Sequence, residues 1–158
     1  GDWIKVENIV EGVVEKIGFR STLIRRFDSS PVMVPNFNFA ENAVTNFSNM
    51  KSRRIYWTIG LEYRTTHDQL RIIRDQIEEY ISGSGDFVKS SEQPLFVRLE
   101  KFSDSSIDIL IYCFATTTVW GEWLKIKEEL ALKIKSIVEE NNAGFAFPSQ
   151  SIYVEKNT

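Results

Sequence analysis

The chain has 158 residues, 42% apolar and 13% aromatic, enough to build a core as one ordinary domain or two small ones; this excludes the low-hydropathy, high-charge composition of disordered chains. Its 19 basic and 22 acidic side chains leave a formal net charge of -3, so no global field draws it to phosphate backbones or anionic lipid, and nucleic acid is a poor default partner. A single cysteine, Cys113, excludes a disulfide framework within one chain, and there is neither an apolar stretch of about 18 residues to span a bilayer nor a signal-like segment at the start.

Residues 3–47 read as short, β-rich segments separated by turn residues, the pattern of a small all-β module with no need for a helix. The expected strands are 3–6, 12–17, 21–27 and 31–34, with a fifth near 43–46. Asp28-Ser29-Ser30-Pro31 supplies side-chain hydrogen bonds for one turn. Pro35 fixes its own φ and biases Val34 to extended geometry, so the strand ends sharply and Asn36 is expected to bond into the following turn. Gly12 and Gly18 bracket a strand, where a missing side chain permits a tight bend or a close backbone approach. The polar run Ser48-Asn49-Met50-Lys51-Ser52 reads as a linker.

A different period follows. Ile55, Trp57, Ile59, Leu61 and Tyr63 alternate with Tyr56, Thr58, Gly60 and Glu62, which predicts a strand with one buried face. Thr66 and Gln69 have capping-box spacing, and Leu70, Ile73, Ile77 and Ile81 then repeat at helical intervals as far as Gly83. Two strands, 95–102 and 107–115, are joined by the hairpin turn Ser103-Asp104-Ser105-Ser106. A second amphipathic helix carries Trp123, Ile126, Leu130, Ile134 and Ile137, with Asn141, Asn142 and Gly144 at its exit, and 151–155 supplies a last strand. The order strand, helix, strand, strand, helix, strand is the ferredoxin-like split βαβ arrangement. That fold hosts many functions, so function rests on sites.

The sequence offers no reactive centre. His67, the only histidine, stands beside Asp68 at a helix start without a nucleophile or metal partner nearby in sequence, and reads as an exposed helix-start residue. One cysteine and one histidine, far apart, cannot make zinc-ligand spacings. Glu78-Glu79 and Glu128-Glu129 are adjacent on polar helix faces, about 100° apart, and do not share a site. Gly83-Ser84-Gly85 follows a helix instead of joining a strand to one, so it is not a phosphate-cradling loop. No catalytic residue, cofactor or metal is therefore expected. Arg20, Arg25 and Arg26 with Phe19 and Phe27, and Arg53-Arg54 further on, are the nearest approach to a basic, aromatic nucleic-acid patch. The simpler reading is a strand with outward charges.

The run GVVEKIGFRSTLIRRFDSSPVMVPNFNFAENAVTNFS, residues 12–48, resembles the β domain of the small-conductance mechanosensitive channel family. Gly12, Val14 and Glu15 match its opening, Arg20-Ser21-Thr22 with Arg25 the next element, Val34-Pro35-Asn36 with Phe39 its signature triplet, and Asn46 and Ser48 its close. Arg53-Arg54 and Ile59-Gly60-Leu61-x-Tyr63 resemble the start of the family's α/β domain, FAFPSQSIYV (145–154) its exit, and Gly1-Asp2-Trp3-Ile4 the residues that directly follow its last membrane helix.

The resemblance implies a small Sm-like β-barrel over 1–48, a linker over 49–53 and a ferredoxin-like (βαββαβ) α+β sandwich over 54–158. It implies a non-enzymatic cytoplasmic part of an integral protein of the inner membrane, lacking the pore helix. Such parts assemble as a sevenfold homo-oligomeric ring, a chamber beneath the pore that permeating ions enter through lateral openings between the two kinds of domain. Asn46, Ser48, Lys51, Arg53 and Arg54 then lie near an opening, and Arg20, Arg25 and Arg26 nearer the membrane and its anionic headgroups. Tyr56, Phe96, Tyr112 and Phe114, off the alternating core faces, become candidates for contact between protomers. The competing readings are a ferredoxin-like module holding a small regulatory molecule and an Sm-like module binding RNA.

Overall fold

The computed structural model describes residues 1–150, so the strand expected at 151–155 lies outside the described residues. The chain divides into two compact units, Gly1–Lys51 and Ser52–Thr158.

The first unit is a five-stranded antiparallel sheet: β1 (Trp3–Val6), β2 (Val10–Ile17), β3 (Ser21–Arg25), β4 (Pro31–Pro35) and β5 (Val44–Asn46), hydrogen-bonded in the order β4-β3-β2-β1-β5. Alternation buries Ile4, Val6, Val10, Ile24 and Val34 as one cluster, against which Val14, Val32 and Phe39 pack. β3 stops at Arg25, two residues short of the expected 27, because the amide of Arg26 donates to the Ser30 carbonyl and Ser29 takes a φ of 67° in a closed turn. Asp28 Oδ1 fastens that turn by accepting from the Ser30 amide at 3.0 Å and hydroxyl at 2.5 Å. The register between β2 and β3 slips between Val14 and Lys16, a bulge that increases strand curvature.

A helix does form in this unit, contrary to expectation: α1 (Phe37–Glu41) is one turn inserted between β4 and β5, and a 3-10 turn occupies Phe47–Asn49. α1 contains no buried residue. Pro35 has ended the strand, and five residues of mixed polarity show no period of their own.

The second unit is a three-stranded antiparallel sheet of β6 (Arg53–Leu61), β7 (Phe96–Phe102) and β8 (Ile107–Ala115) in the order β6-β8-β7, with α2 (His67–Gly83) and α3 (Trp120–Glu140) as its crossovers. Placing β8 between β6 and β7 makes this the expected split βαβ arrangement. After α3, the Glu62 amide donates to Gly144 O (3.0 Å) and the Ala146 amide to Gly60 O (2.9 Å), so the exiting chain runs antiparallel along the free edge of β6. Both helices pack on one sheet face, burying Ile73, Ile77, Ile81, Leu130, Ile134 and Val138 against Ile55, Leu61, Val97, Ile109 and Ile111.

The capping box at the start of α2 is complete: Thr66 Oγ1 accepts from the Gln69 amide, and Gln69 Oε1 accepts from the Thr66 amide. Gln69 Nε2 also donates to the Asn141 carbonyl at 2.9 Å, fastening the start of α2 to the end of α3. α3 terminates where Asn142 turns left-handed (φ 55°) and the Ala143 amide returns to Val138 O at 3.0 Å.

Candidate functional site

In the first unit the signature residues converge on the turn between β2 and β3. Asn36 is the hub: its Nδ2 donates to Gly18 O (2.9 Å) and Phe19 O (3.2 Å), its Oδ1 accepts from Thr22 Oγ1 (2.9 Å), and its amide donates to Arg20 O (2.9 Å). The side chain thus bonds back to a turn 17 and 18 residues upstream, not into the following turn as expected. The reason is geometric: β4 pairs with β3 so that Pro35 lies opposite Ser21, which brings the next residue over the hairpin end. Val34 is 1% exposed in the core, and Phe39 packs against that core. Held by Asn36, the hairpin projects Phe19, 98% exposed, and Ile17, 76% exposed.

Gly12, on β2, faces the backbone of β3 at Arg25. A Cβ there would lie 2.3 Å from Arg25 O and 2.9 Å from Ile24 Cγ2. Only a residue without a side chain fits.

The basic residues of this unit divide by partner. Arg25 forms a fork with Glu15 (Nε–Oε1 2.8 Å, NH2–Oε2 2.9 Å) and donates to Ser29 O at 3.0 Å. That hydrogen-bonded pairing holds the Glu15 carboxyl below its usual range and raises the Arg25 guanidinium. Arg26 lies 3.6 Å from Asp28. Arg20, beside Phe19 at the hairpin tip, is exposed and belongs to no ion pair among the described residues. Asn46 Nδ2 donates to Asp2 Oδ2 (2.8 Å), its Oδ1 accepts from the Ser48 amide (2.9 Å), and Ser48 Oγ accepts from the Trp3 amide (2.9 Å). These two polar residues tie the end of the unit to its beginning.

Of the cations expected together, Lys51 and Arg54 are exposed and Arg53 is not. Arg53 is 9% exposed; its Nε donates to Thr118 O at 2.8 Å, and its guanidinium lies 5.1 Å from the Trp120 ring centre and 5.7 Å from that of Trp123. Burial lowers its proton affinity, and the two rings supply favourable surroundings for the cation. It acts as a strut between β6 and the start of α3.

The sheet face turned away from the two helices carries an aromatic ladder. Register places Tyr56 opposite Tyr112, Tyr112 opposite Phe96, and Arg54 opposite Phe114. Ring centres are 5.8 Å apart for Tyr56–Tyr112, 6.0 Å for Phe96–Tyr112 and 5.4 Å for Tyr112–Phe114. The Arg54 guanidinium lies 5.7 Å from the Tyr56 ring centre and 5.9 Å from that of Tyr112. Tyr56 is 57% and Phe96 47% exposed, so the face pairs apolar area with a cation.

Groups with reactive potential are otherwise occupied. Burial pushes the Cys113 thiol up to about 12, far from thiolate chemistry at neutral pH. His67 Nδ1 is 3.2 Å from Asp68, and its Nε2 is 3.1 Å from an Arg71 nitrogen, all at the surface. Glu78 accepts from Arg98 at 2.7 Å. Asp108, 7% exposed, accepts from Ser103 Oγ and Ser106 Oγ at 2.6 Å each, which lowers its pKa and closes the β7–β8 turn. The described residues contain no group of three His, Cys, Asp or Glu that could hold a metal ion, and no helix among them is long and apolar enough to cross a membrane.

Comparison with known proteins bears on both units. The family profile "Mechanosensitive ion channel, beta-domain" matches residues 1–49, and "Mechanosensitive ion channel MscS, C-terminal" matches residues 55–145. The chain is 40% identical to the low conductance mechanosensitive channel YnaI of Escherichia coli (strain K12), over 100% of this chain and 46% of that protein. It is 31% identical to the small-conductance mechanosensitive channel MscMJ of Methanocaldococcus jannaschii, over 99% of this chain and 43% of that protein. It therefore spans less than half the length of these relatives. Among solved structures, Arabidopsis thaliana MSL1 (cryo-EM) gives a TM-score of 0.85 at 23% identity over 94% of this chain and 52% of that one. The crystal structure of Helicobacter pylori MscS in a closed state gives 0.81 at 24% identity, over 99% and 59%. These two share its fold.

Proposed function

Since the chain belongs to the mechanosensitive ion channel (MscS) family, we propose that it forms the wall of a chamber on the cytoplasmic side of the inner membrane, below a tension-gated pore supplied by other parts of the whole protein. The observation that carries this reading is the aromatic ladder of the second unit. A sheet face bearing the exposed Tyr56 and Phe96 around Tyr112, with no helix packed across it among the described residues, suits contact with a neighbouring copy in a closed, sevenfold ring. In this reading residues 1–48 and 54–158 are successive modules of the wall, joined by 49–53, and the chain's work is mechanical and electrostatic, without catalysis.

Segment 46–54 lines the lateral openings of that chamber. Lys51 and Arg54 are its exposed cations and bias local ion concentration toward anions, while Asn46, Ser48 and Arg53 hold the segment in shape. Arg20 faces the membrane with Phe19 at the hairpin tip; Arg25 and Arg26, expected beside it, sit at the opposite end of β3, where they pair with Glu15 and Asp28 around the β3–β4 turn. The same ion pairs weigh against RNA binding, because they neutralise two of the three arginines between residues 20 and 26.

The filter is tested by reversing both charges. In the full-length channel under asymmetric KCl, Lys51→Glu with Arg54→Glu should lower chloride permeability relative to potassium by roughly twofold, read from the reversal potential at moderate salt. An unchanged reversal potential would leave these side chains outside the ion path.

A further inference from the structure

We propose that the cleft between the first turns of α2 and the β7–β8 hairpin binds a small organic anion: a carboxylate carried on an apolar body about the size of a phenyl ring. The cleft encloses about 460 Å³, within the range of small-molecule sites. Its lining is largely apolar, with Leu70, Ile107 and Ile109 deep and Leu99 and Phe102 more exposed, and it also carries Arg71 and Arg74. These arginines are three apart on one helix and so project from the same side. No carboxylate lines the cleft.

The two guanidinium groups differ in what they have free. Arg74 is held by Asp75 at 2.5 Å, and part of its charge is spent there. Arg71 meets only the His67 Nε2 at 3.1 Å among the described hydrogen bonds. That contact occupies one side of a guanidinium with five N–H donors, leaving a fork that suits the two oxygens of a carboxylate. Tyr63 fixes the aromatic side of the mouth: its hydroxyl donates to Ser103 O, and its ring stacks on Phe102 with centres 6.4 Å apart and planes at 21°.

The apolar lining decides the ligand class. Inorganic phosphate satisfies the rim but leaves Leu99, at 43% exposure, and Phe102, at 67%, in water. A neutral aromatic covers these side chains and leaves the Arg71 fork to solvent. A compact aromatic carboxylate does both. This inference does not depend on the channel reading, since it concerns one unit of one protomer.

Titrating the chain with phenylacetate, 2-phenylethanol and inorganic phosphate, followed by amide shifts in NMR, tests it. Phenylacetate should saturate below about 10 mM, with the largest shifts at residues 63–74 and 99–109, and bind at least about tenfold tighter than either control. Arg71→Gln, an exposed substitution that should leave the fold intact, should weaken phenylacetate about tenfold and leave 2-phenylethanol unchanged. Equal affinity for phosphate, equal affinity for 2-phenylethanol, or no saturation by phenylacetate would each overturn the proposal.

Discussion

Gly12→Ala should destabilise the first unit by about 3 kcal/mol, a cost in the upper range for placing a methyl group where nothing can yield. The added Cβ would stand 2.3 Å from Arg25 O and 2.8 Å from Arg25 C, both backbone atoms of β3. Side chains can rotate away from such a contact, but a strand moves only as a whole. β3 carries Ile24, fully buried, and pairs with β4 from Ser21↔Pro35 to Arg25↔Pro31. Any retreat of Arg25 therefore opens the core and strains both neighbouring ladders. Native-state hydrogen exchange reads this locally: protection of β2 and β3 amides should fall by about 100-fold, while α2 and α3 amides serve as an internal reference. Gly83→Ala is the control, because a Cβ there meets nothing within 4 Å. A loss below about tenfold at β2 and β3 would mean that the close approach is soft.

Tyr56→Asp combined with Phe96→Asp should abolish ring assembly of the full-length protein while leaving the fold of each protomer in place. Both side chains are about half exposed, so a carboxylate at either stays hydrated in the monomer. In an assembled face it would be desolvated against apolar area, and a stable contact needs more than about 1,000 Å² of well-packed surface. Aromatic residues and arginine are the side chains on which such contacts depend most, and Tyr112, touching Tyr56, Phe96 and Phe114, sits at the centre of this cluster. Native mass spectrometry in detergent should show the ring replaced by monomers, with association weakened by more than about 100-fold. Rings that persist would assign protomer contact to another surface.

Much of this was legible wherever a period or a turn signature ran long enough. β8 occupies the expected 107–115 because nine alternating residues follow an unambiguous Ser-Asp-Ser-Ser turn, and α2 ends at Gly83 after the capping box expected of Thr66 and Gln69. The outward parity of Tyr56 and Tyr112 was readable for the same reason. The single turn α1 was not, since five residues cannot display a helical period.

Arg53 was readable in principle and was set instead beside Arg54 as an exposed cation. It shares parity with Ile55 and Leu61, which face the core. Charge outweighed parity in that reading, and the counter-signal, two tryptophans at the start of α3, lies 67 and 70 residues away in sequence. Asn36 escaped for a similar reason. Its partners are 14 to 18 residues upstream, and only the β3–β4 register brings them together. The aromatic ladder is the converse case, where local parity exposes the side chains but cannot name what covers them.

Recording current from membrane patches that contain the full-length protein, while suction is stepped, tests the channel assignment most directly. Steps in conductance that appear only under suction and close on its release are the predicted result. Patches with verified protein in the membrane that stay silent up to the rupture pressure would contradict it.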